Sequence, residues 1–143
     1  MVSRRVGELR PVLEWKTRIT YLKEVPTGTG LSYGHAFHTE RPSLIATIPV
    51  GYGDGLSRLL SNKAQFVVRG RRCPLVGRVT MDQSLVDVTP LTGGVELGDE
   101  VTIIGRQGDE EVTADELAAE MGTINYEIVT SIASRVPRIA VEA

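Results

Sequence analysis

Tyrosines carry the most suggestive chemistry in this sequence of 143 residues. A phenol can give or take a proton, provided that other atoms can reach it. Tyr33 lies between Ser32 and Gly34 in GLSYGHAF, and Tyr52 between Gly51 and Gly53 in GYGDG. Tyr126 stands at the expected start of a helix, whereas Tyr21 lies inside an alternating stretch and reads as sheet core or sheet surface. Glycine beside an aromatic ring lets ligand atoms approach both ring and backbone. Local context leaves packing and chemistry both open for these residues. The segment GRVTMDQ (77–83) sets Arg78 and Asp82 among apolar neighbours, where an ordinary salt bridge is the simplest use of them.

Other chemical templates fit poorly. His35 and His38 stand three apart with no further metal-ligand spacing around them, so no metal site is expected. GTGLSYG has the wrong glycine spacing for a dinucleotide fingerprint, and no βαβ unit surrounds it. GYGDG lacks the Lys-Ser/Thr ending of a phosphate loop and reads as a turn. Cys73, the single cysteine, precedes Pro74 in an expected strand and reads as a small buried hydrophobe.

Composition narrows the classes further. A content of 41% hydrophobic and 24% charged residues is ordinary for a globular chain. A net charge of -2 and 5% aromatics give neither a polybasic footprint nor a base-stacking surface, so no nucleic-acid partner is expected. No apolar run reaches membrane-spanning length, so no membrane partner is expected, and one cysteine suits the cytoplasm.

The elements that must position these residues are mostly strands. LEWKTRITYLKEV (13–25) alternates through Trp15, Ile19 and Tyr21, and LIATIPV (44–50) reads as a strand buried on both faces. FVVRGRRCPLVGRV (66–79) predicts two strands around a turn at Arg69-Gly70-Arg71, followed by LVDVT (85–89) and VTIIG (101–105). Short, closely spaced strands with glycine-rich turns predict a mostly β, α+β fold: an antiparallel barrel or sandwich with one or two helices near the C-terminus. Thr113 suits the N-cap of a first helix, with Glu116 at capping-box spacing and Gly122 as its stop. A second helix is expected from about Thr123, burying Ile124, Ile128 and Ile132 and ending by Pro137.

Taken together, the motifs resemble the C-terminal domain of alanine racemase. LKEVPTGTGLSYG (22–34), ERPSLIATIPVGYGDG (40–55), PLVGRVTMDQ (74–83), GDEVTIIG (98–105), VTADEL (112–117), GTINYE (122–127) and RVPRI (135–139) carry the resemblance across nearly the whole chain. It implies a homodimeric isomerase that interconverts L- and D-alanine with pyridoxal 5'-phosphate, supplying D-alanine for peptidoglycan in the cell wall. It also implies a (β/α)8 barrel domain, absent here, that carries the lysine to which the cofactor is attached. The β-rich domain would complete the active site of the partner subunit's barrel. Racemisation removes the α-proton from one face and returns one to the other, so two acid/base groups flank the cofactor.

By this resemblance the barrel's lysine serves one face and Tyr33 the other. A free tyrosine titrates near ~10, so neighbouring positive charge, supplied largely by the partner's barrel, must favour the phenolate. Met81 would hold the substrate carboxylate through its backbone N–H, and Tyr126 would reach the cofactor phosphate. Tyr52, Arg58, Arg78, Asp82 and Ile124 would line the corridor by which the small amino-acid substrate enters. Lys16, Lys23 and Lys63 lie in no stretch resembling the cofactor-binding signature. By the same resemblance, residues 1–12 are expected to be a remnant of the segment joining the barrel, and 13–143 the β-rich domain, inactive alone. The same fold would also serve a serine or broad-spectrum racemase, or a non-enzymatic interaction module. In each case Tyr33, Met81 and Tyr126 should lie on an exposed patch.

Overall fold

The computed structural model describes residues 10–142, and most of the expected joining segment 1–12 lies outside them. Ten strands follow in order: β1 Trp15–Arg18, β2 Tyr21–Val25, β3 Gly30–Leu31, β4 Phe37–His38, β5 Ser43–Ile48, β6 Gln65–Val68, β7 Arg71–Val76, β8 Ser84–Asp87, β9 Glu100–Gln107 and β10 Glu110–Val112. Two helices close the chain, α1 Ala114–Met121 and α2 Asn125–Ser131. No helix among the described residues is long and apolar enough to cross a membrane.

Every pairing is antiparallel. The main sheet runs β1-β9-β6-β7-β8-β5-β2, with β10 also paired to β9, and β3 and β4 form a separate arm. The expected mostly β, α+β fold with helices near the C-terminus is therefore observed, but the sheet does not close into a barrel: no ladder joins β1 to β2. The stretch 13–25 is not one strand. It breaks at Ile19–Thr20, and its halves pair with β9 and β5 at the two ends of the sheet. Side-chain alternation runs straight through the break, so the pattern hides it.

Two cores lie on the sheet. Phe66, Ile48, Leu56, Leu75, Ile103 and Leu117 anchor the larger one. Val25, Leu31, Ile45 and Val76 form the smaller, with Phe37 and Leu85 packed against it. Within β5, Ala46 and Ile48 enter the first and Ile45 the second, so this strand is buried on both faces as its apolar run predicts. The smaller core sits beneath the β3–β4 arm and fastens it through Leu31 and Phe37, the residues either side of the Tyr33 loop.

The β6–β7 hairpin turns on Arg69 and Gly70, both left-handed at φ 52° and 72°, as a two-residue type I′ connection requires. Arg69 is steadied there by a two-pronged pair with Asp99, at 2.8 and 3.1 Å. In α1, Thr113 Oγ1 accepts from the Glu116 N–H at 3.1 Å, and Gly122 stops the helix at φ 72°. The Glu116 carboxylate does not complete a capping box. It accepts from Arg72 Nη1 at 2.7 Å and ties α1 to β7. For α2, Ile128 and Ile132 are buried as expected, but Ile124 is 51% exposed. Ile124 is the N-cap in extended backbone, so it stands outside the helical phase that its spacing implies.

Cys73 is fully buried on β7, and desolvation pushes its thiol up to about 11. A raised value favours the folded state below the ordinary thiol value of 9.0, and that contribution is lost as pH rises towards about 11. Thiol reagents at pH 8 should accordingly label Cys73 no faster than the domain unfolds, and at once in denaturant. Rapid labelling of the folded chain would contradict this burial.

Candidate functional site

Tyr33 sits on a short 3-10 turn, Tyr33–His35, between β3 and β4. The backbone on both sides of it is left-handed. Ser32 has φ 66° and ψ −178°, a region seldom adopted by anything but glycine, and Gly34 has φ 66°. Such a conformation persists only when its surroundings enforce it. Here Ser32 Oγ donates to the Arg78 carbonyl at 2.8 Å and accepts from the Arg78 N–H at 3.1 Å. A Cβ on Gly77 would meet the Ser32 Cβ at 2.6 Å, so the glycine is what lets the two backbones approach. Clamped in this way, the loop presents the Tyr33 ring 74% exposed.

The opposite wall is the connection between β7 and β8, and its counterpart is GYGDG. Tyr52 donates its N–H to the Thr80 carbonyl at 3.0 Å, and Gly53 donates to the Met81 carbonyl at 2.8 Å. The turn 80–83 is closed by Thr80 Oγ1, which donates to the Gln83 carbonyl at 2.9 Å. Met81 is half exposed, and its own N–H meets no protein acceptor among the described residues.

Arg135 locks these pieces to the end of α2. Its Nε donates to Asp54 at 2.8 Å and its Nη2 to Asp82 at 2.9 Å, and Asp82 and then Asp54 hold the guanidinium above its ordinary range. The second Asp54 oxygen accepts from the Gly51 N–H at 3.0 Å, and the Asp54 carbonyl accepts from Ala133 at 2.9 Å. Arg138 donates to the carbonyls of Ile132, Ala133 and Val136 beyond the helix.

These walls enclose an open cleft of about 600 Å³ lined by Tyr33, Tyr52, Arg58, Arg78, Met81 and Asp82, with Val79, Thr80 and Gln83 between them. Six of the eight residues selected from the sequence therefore converge on one surface. The other two do not reach it. Ile124 and Tyr126 stand at the start of α2, 51% and 71% exposed, outside the lining. The far end of α2 approaches GYGDG, where a Cβ on Gly55 would meet Ser131 and Ile132. Tyr126 is thus about 8 Å along the helix axis from that end. Tyr33, Met81 and Tyr126 are each exposed as expected, but only Tyr33 and Met81 share the cleft, so the structure does not bring the three into the one patch expected.

Charge in the cleft is uneven. Asp82 is engaged by Arg135, whereas Arg58 and Arg78 form no ion pair among the described residues. The expected pairing of Arg78 with a nearby acid is not made; Asp82 finds its partner 53 residues away. Two free guanidiniums beside an unpaired backbone N–H suit an anionic ligand such as a carboxylate. None of the three lysines lines the cleft. Sequence reasoning overlooked Ser32, Asp54 and Arg135, and also Asn62 and Ser61, whose side chains accept from the Gly77 and Val79 N–H groups. Asp54 and Arg135 lie in the recognised stretches GYGDG and RVPRI, but nothing in SNK (61–63) marks Asn62.

Comparison with known proteins identifies relatives of the chain. The alanine racemase of Halothermothrix orenii is 57% identical over 131 residues, which are 92% of this chain and 34% of that protein. The crystal structure of alanine racemase from Bacillus anthracis with bound L-Ala-P superposes with a TM-score of 0.88 at 46% identity, over 94% of this chain and 34% of that one. That of the Bartonella henselae alanine racemase with covalently bound pyridoxal phosphate gives a TM-score of 0.88 at 33% identity, over 96% and 37%. The chain spans about a third of the length of the relatives it matches. A family model described as alanine racemase, C-terminal domain, matches residues 12–140. This chain belongs to the alanine racemase C-terminal domain family.

Proposed function

We propose that the chain is the C-terminal part of a pyridoxal-phosphate-dependent alanine racemase and supplies one of the two acid/base groups, Tyr33, to the active site of a partner subunit. The observation that carries the reading is the presentation of Tyr33. A strained, doubly anchored loop holds an exposed phenol in the lining of the same cleft that holds Met81. Strain of this kind is retained where a side chain must be held for use.

The residues present fit the cofactor only as half a site. An exposed phenol at Tyr33 and a free N–H at Met81 suit a bound amino acid, while no lysine in the cleft could attach the cofactor. The attaching lysine belongs on this reading to the barrel domain, reached through residues 1–12. When bound, pyridoxal phosphate takes up the electron pair left as the substrate's Cα–H bond breaks. Tyr33 takes or returns the proton at one face of Cα, and Met81 receives the carboxylate on its N–H. Arg58, Arg78 and Tyr52 would draw the substrate in and Asp82 would border its path, while Ile124 and Tyr126, outside this cleft, would on assembly border the entry and hold the cofactor phosphate. The setting is a cytoplasmic homodimer making D-alanine for peptidoglycan.

Mixing the chain with a separately produced (β/α)8 barrel domain of an alanine racemase and pyridoxal phosphate tests this directly. The chain alone should racemise nothing, and the mixture should racemise L- and D-alanine in preference to serine. Racemisation by the chain alone, or a preference for serine, would overturn the assignment.

A further inference from the structure

The connection between β7 and β8 is not held by a strand ladder. Gly77, Arg78 and Val79 present three consecutive backbone N–H groups, and side chains accept all of them. Asn62 Oδ1 takes Gly77 at 2.6 Å, Ser32 Oγ takes Arg78 at 3.1 Å and Ser61 Oγ takes Val79 at 2.9 Å. Asn62 differs from the two serines in having a second hand. Its Nδ2 donates to the Ala36 carbonyl at 3.2 Å, so one side chain spans the Tyr33 arm and the stretch leading to Met81. The partners fix the amide orientation, since an N–H needs the oxygen and a carbonyl needs the NH₂. Asn62 is itself left-handed at φ 59°, a conformation that asparagine tolerates better than most side chains. The contact of Gly77 with Ser32 is one point of closest approach between arm and connection. Leu31, Phe37 and the two Ser32–Arg78 bonds fasten the arm, and the Asn62 bond to Ala36 adds a tie on the other side of Tyr33 from Ser32.

We infer that Asn62 is a positioning residue that fixes Tyr33 relative to Met81, and so aims the phenol at the substrate α-carbon. The inference rests on the role given to Tyr33 above. Asn62 touches neither substrate nor cofactor; it acts through the arm. Misplacement of a reacting group by about 1 Å is enough to cost on the order of 100-fold in rate.

Asn62→Gly is the informative variant, because glycine keeps the left-handed turn and removes only the amide. In the chain alone, backbone order parameters at Tyr33 and Gly34 should fall from about 0.85 to below about 0.6, with Ile103 unchanged. The Gly77 amide should exchange faster. Unchanged order at residues 33–36 would overturn the bridge. In the assembled racemase, kcat should fall on the order of 10–100-fold with KM within about threefold. Asn62→Asp, which keeps the acceptor for Gly77 and loses the donor to Ala36, should fall between. The primary isotope effect with α-deuterated alanine should rise for one enantiomer only, a change that general loosening of the fold does not produce. In a Tyr33→Phe background, Asn62→Gly should add less than about threefold, since both changes act through one group. A fully additive loss would overturn the inference. An undiminished rate in Tyr33→Phe itself would overturn the reading of Tyr33 and the catalytic half of this inference. The order parameters, which need no catalysis, tell that outcome from failure of the bridge.

Discussion

Tyr33→Phe is expected to lower alanine racemisation in the assembled enzyme by on the order of 10²–10⁴-fold, the usual contribution of a positioned acid/base group. The thermal midpoint should not move. Tyr33 is 74% exposed, and the bonds that hold its loop run through Ser32, His35 and Asn62. Phenylalanine keeps the ring and removes only the oxygen that can carry the proton. Rate and unfolding midpoint measured on the same preparation separate chemistry from stability. A rate within a few-fold of the unaltered protein would remove Tyr33 from the reaction.

The second large effect is structural and falls on Gly51. Its φ of −149° is extended backbone open to any residue, so the obstacle is steric alone. A Cβ there would lie 2.1 Å from the Thr80 carbonyl oxygen and 2.5 Å from the carbonyl carbon and oxygen of Met81. These are backbone atoms and cannot rotate away as a side chain would. To admit the methyl group, GYGDG must withdraw from the 80–81 turn and give up the Tyr52 and Gly53 bonds to it. Overpacking together with two weakened hydrogen bonds predicts a loss of about 2–4 kcal/mol for Gly51→Ala. Gly34→Ala is the contrast. No atom lies within 4 Å of its Cβ position, and only its left-handed φ of 66° is penalised, by about 1 kcal/mol. Urea unfolding of the two variants measures the difference. Equal losses would mean that the approach of Gly51 to Thr80 is looser than it stands here.

The local grammar of this chain is legible because it is short-range. Thr113 and Gly122 bracket α1, Arg69-Gly70 turns the β6–β7 hairpin, and the apolar run 44–50 marks a strand covered on both faces. Each is dictated by neighbours within a few residues. The break at Ile19–Thr20 is hidden for the opposite reason. The alternation of 13–25 continues across it, and only the positions of β9 and β5 decide that the halves part. Ile124 shows the limit of spacing arguments: i, i+4, i+8 arithmetic holds only once the helix has begun, and here it begins one residue later.

The site divides along the same line. Tyr33, Met81 and the corridor residues stand in stretches whose wording is itself distinctive, and six of the eight meet in the cleft. The residues that hold them do not announce themselves. Arg135 reaches Asp54 across 81 positions and Ser32 reaches Arg78 across 46, so their roles exist only after folding. Asn62 has no periodicity, motif or glycine beside it, and its role rests on two hydrogen bonds that the sequence cannot display.

The placement of β1 and β2 at opposite ends of the strand order has a consequence for shape. Six inter-strand gaps at ~4.8 Å would set the ends of a flat sheet roughly 29 Å apart. Yet Arg18 and Tyr21 are separated only by Ile19 and Thr20, a tether of at most about 11 Å. The sheet must therefore be rolled until its margins nearly meet, like a cylinder slit along its length. The tether itself sews the slit: Ile19 donates to Asp99 on one side at 3.0 Å, and Thr20 donates to Thr47 on the other at 2.9 Å. A flat sheet would offer two long bare edges to neighbouring molecules, and this stitch turns both of them inward towards each other.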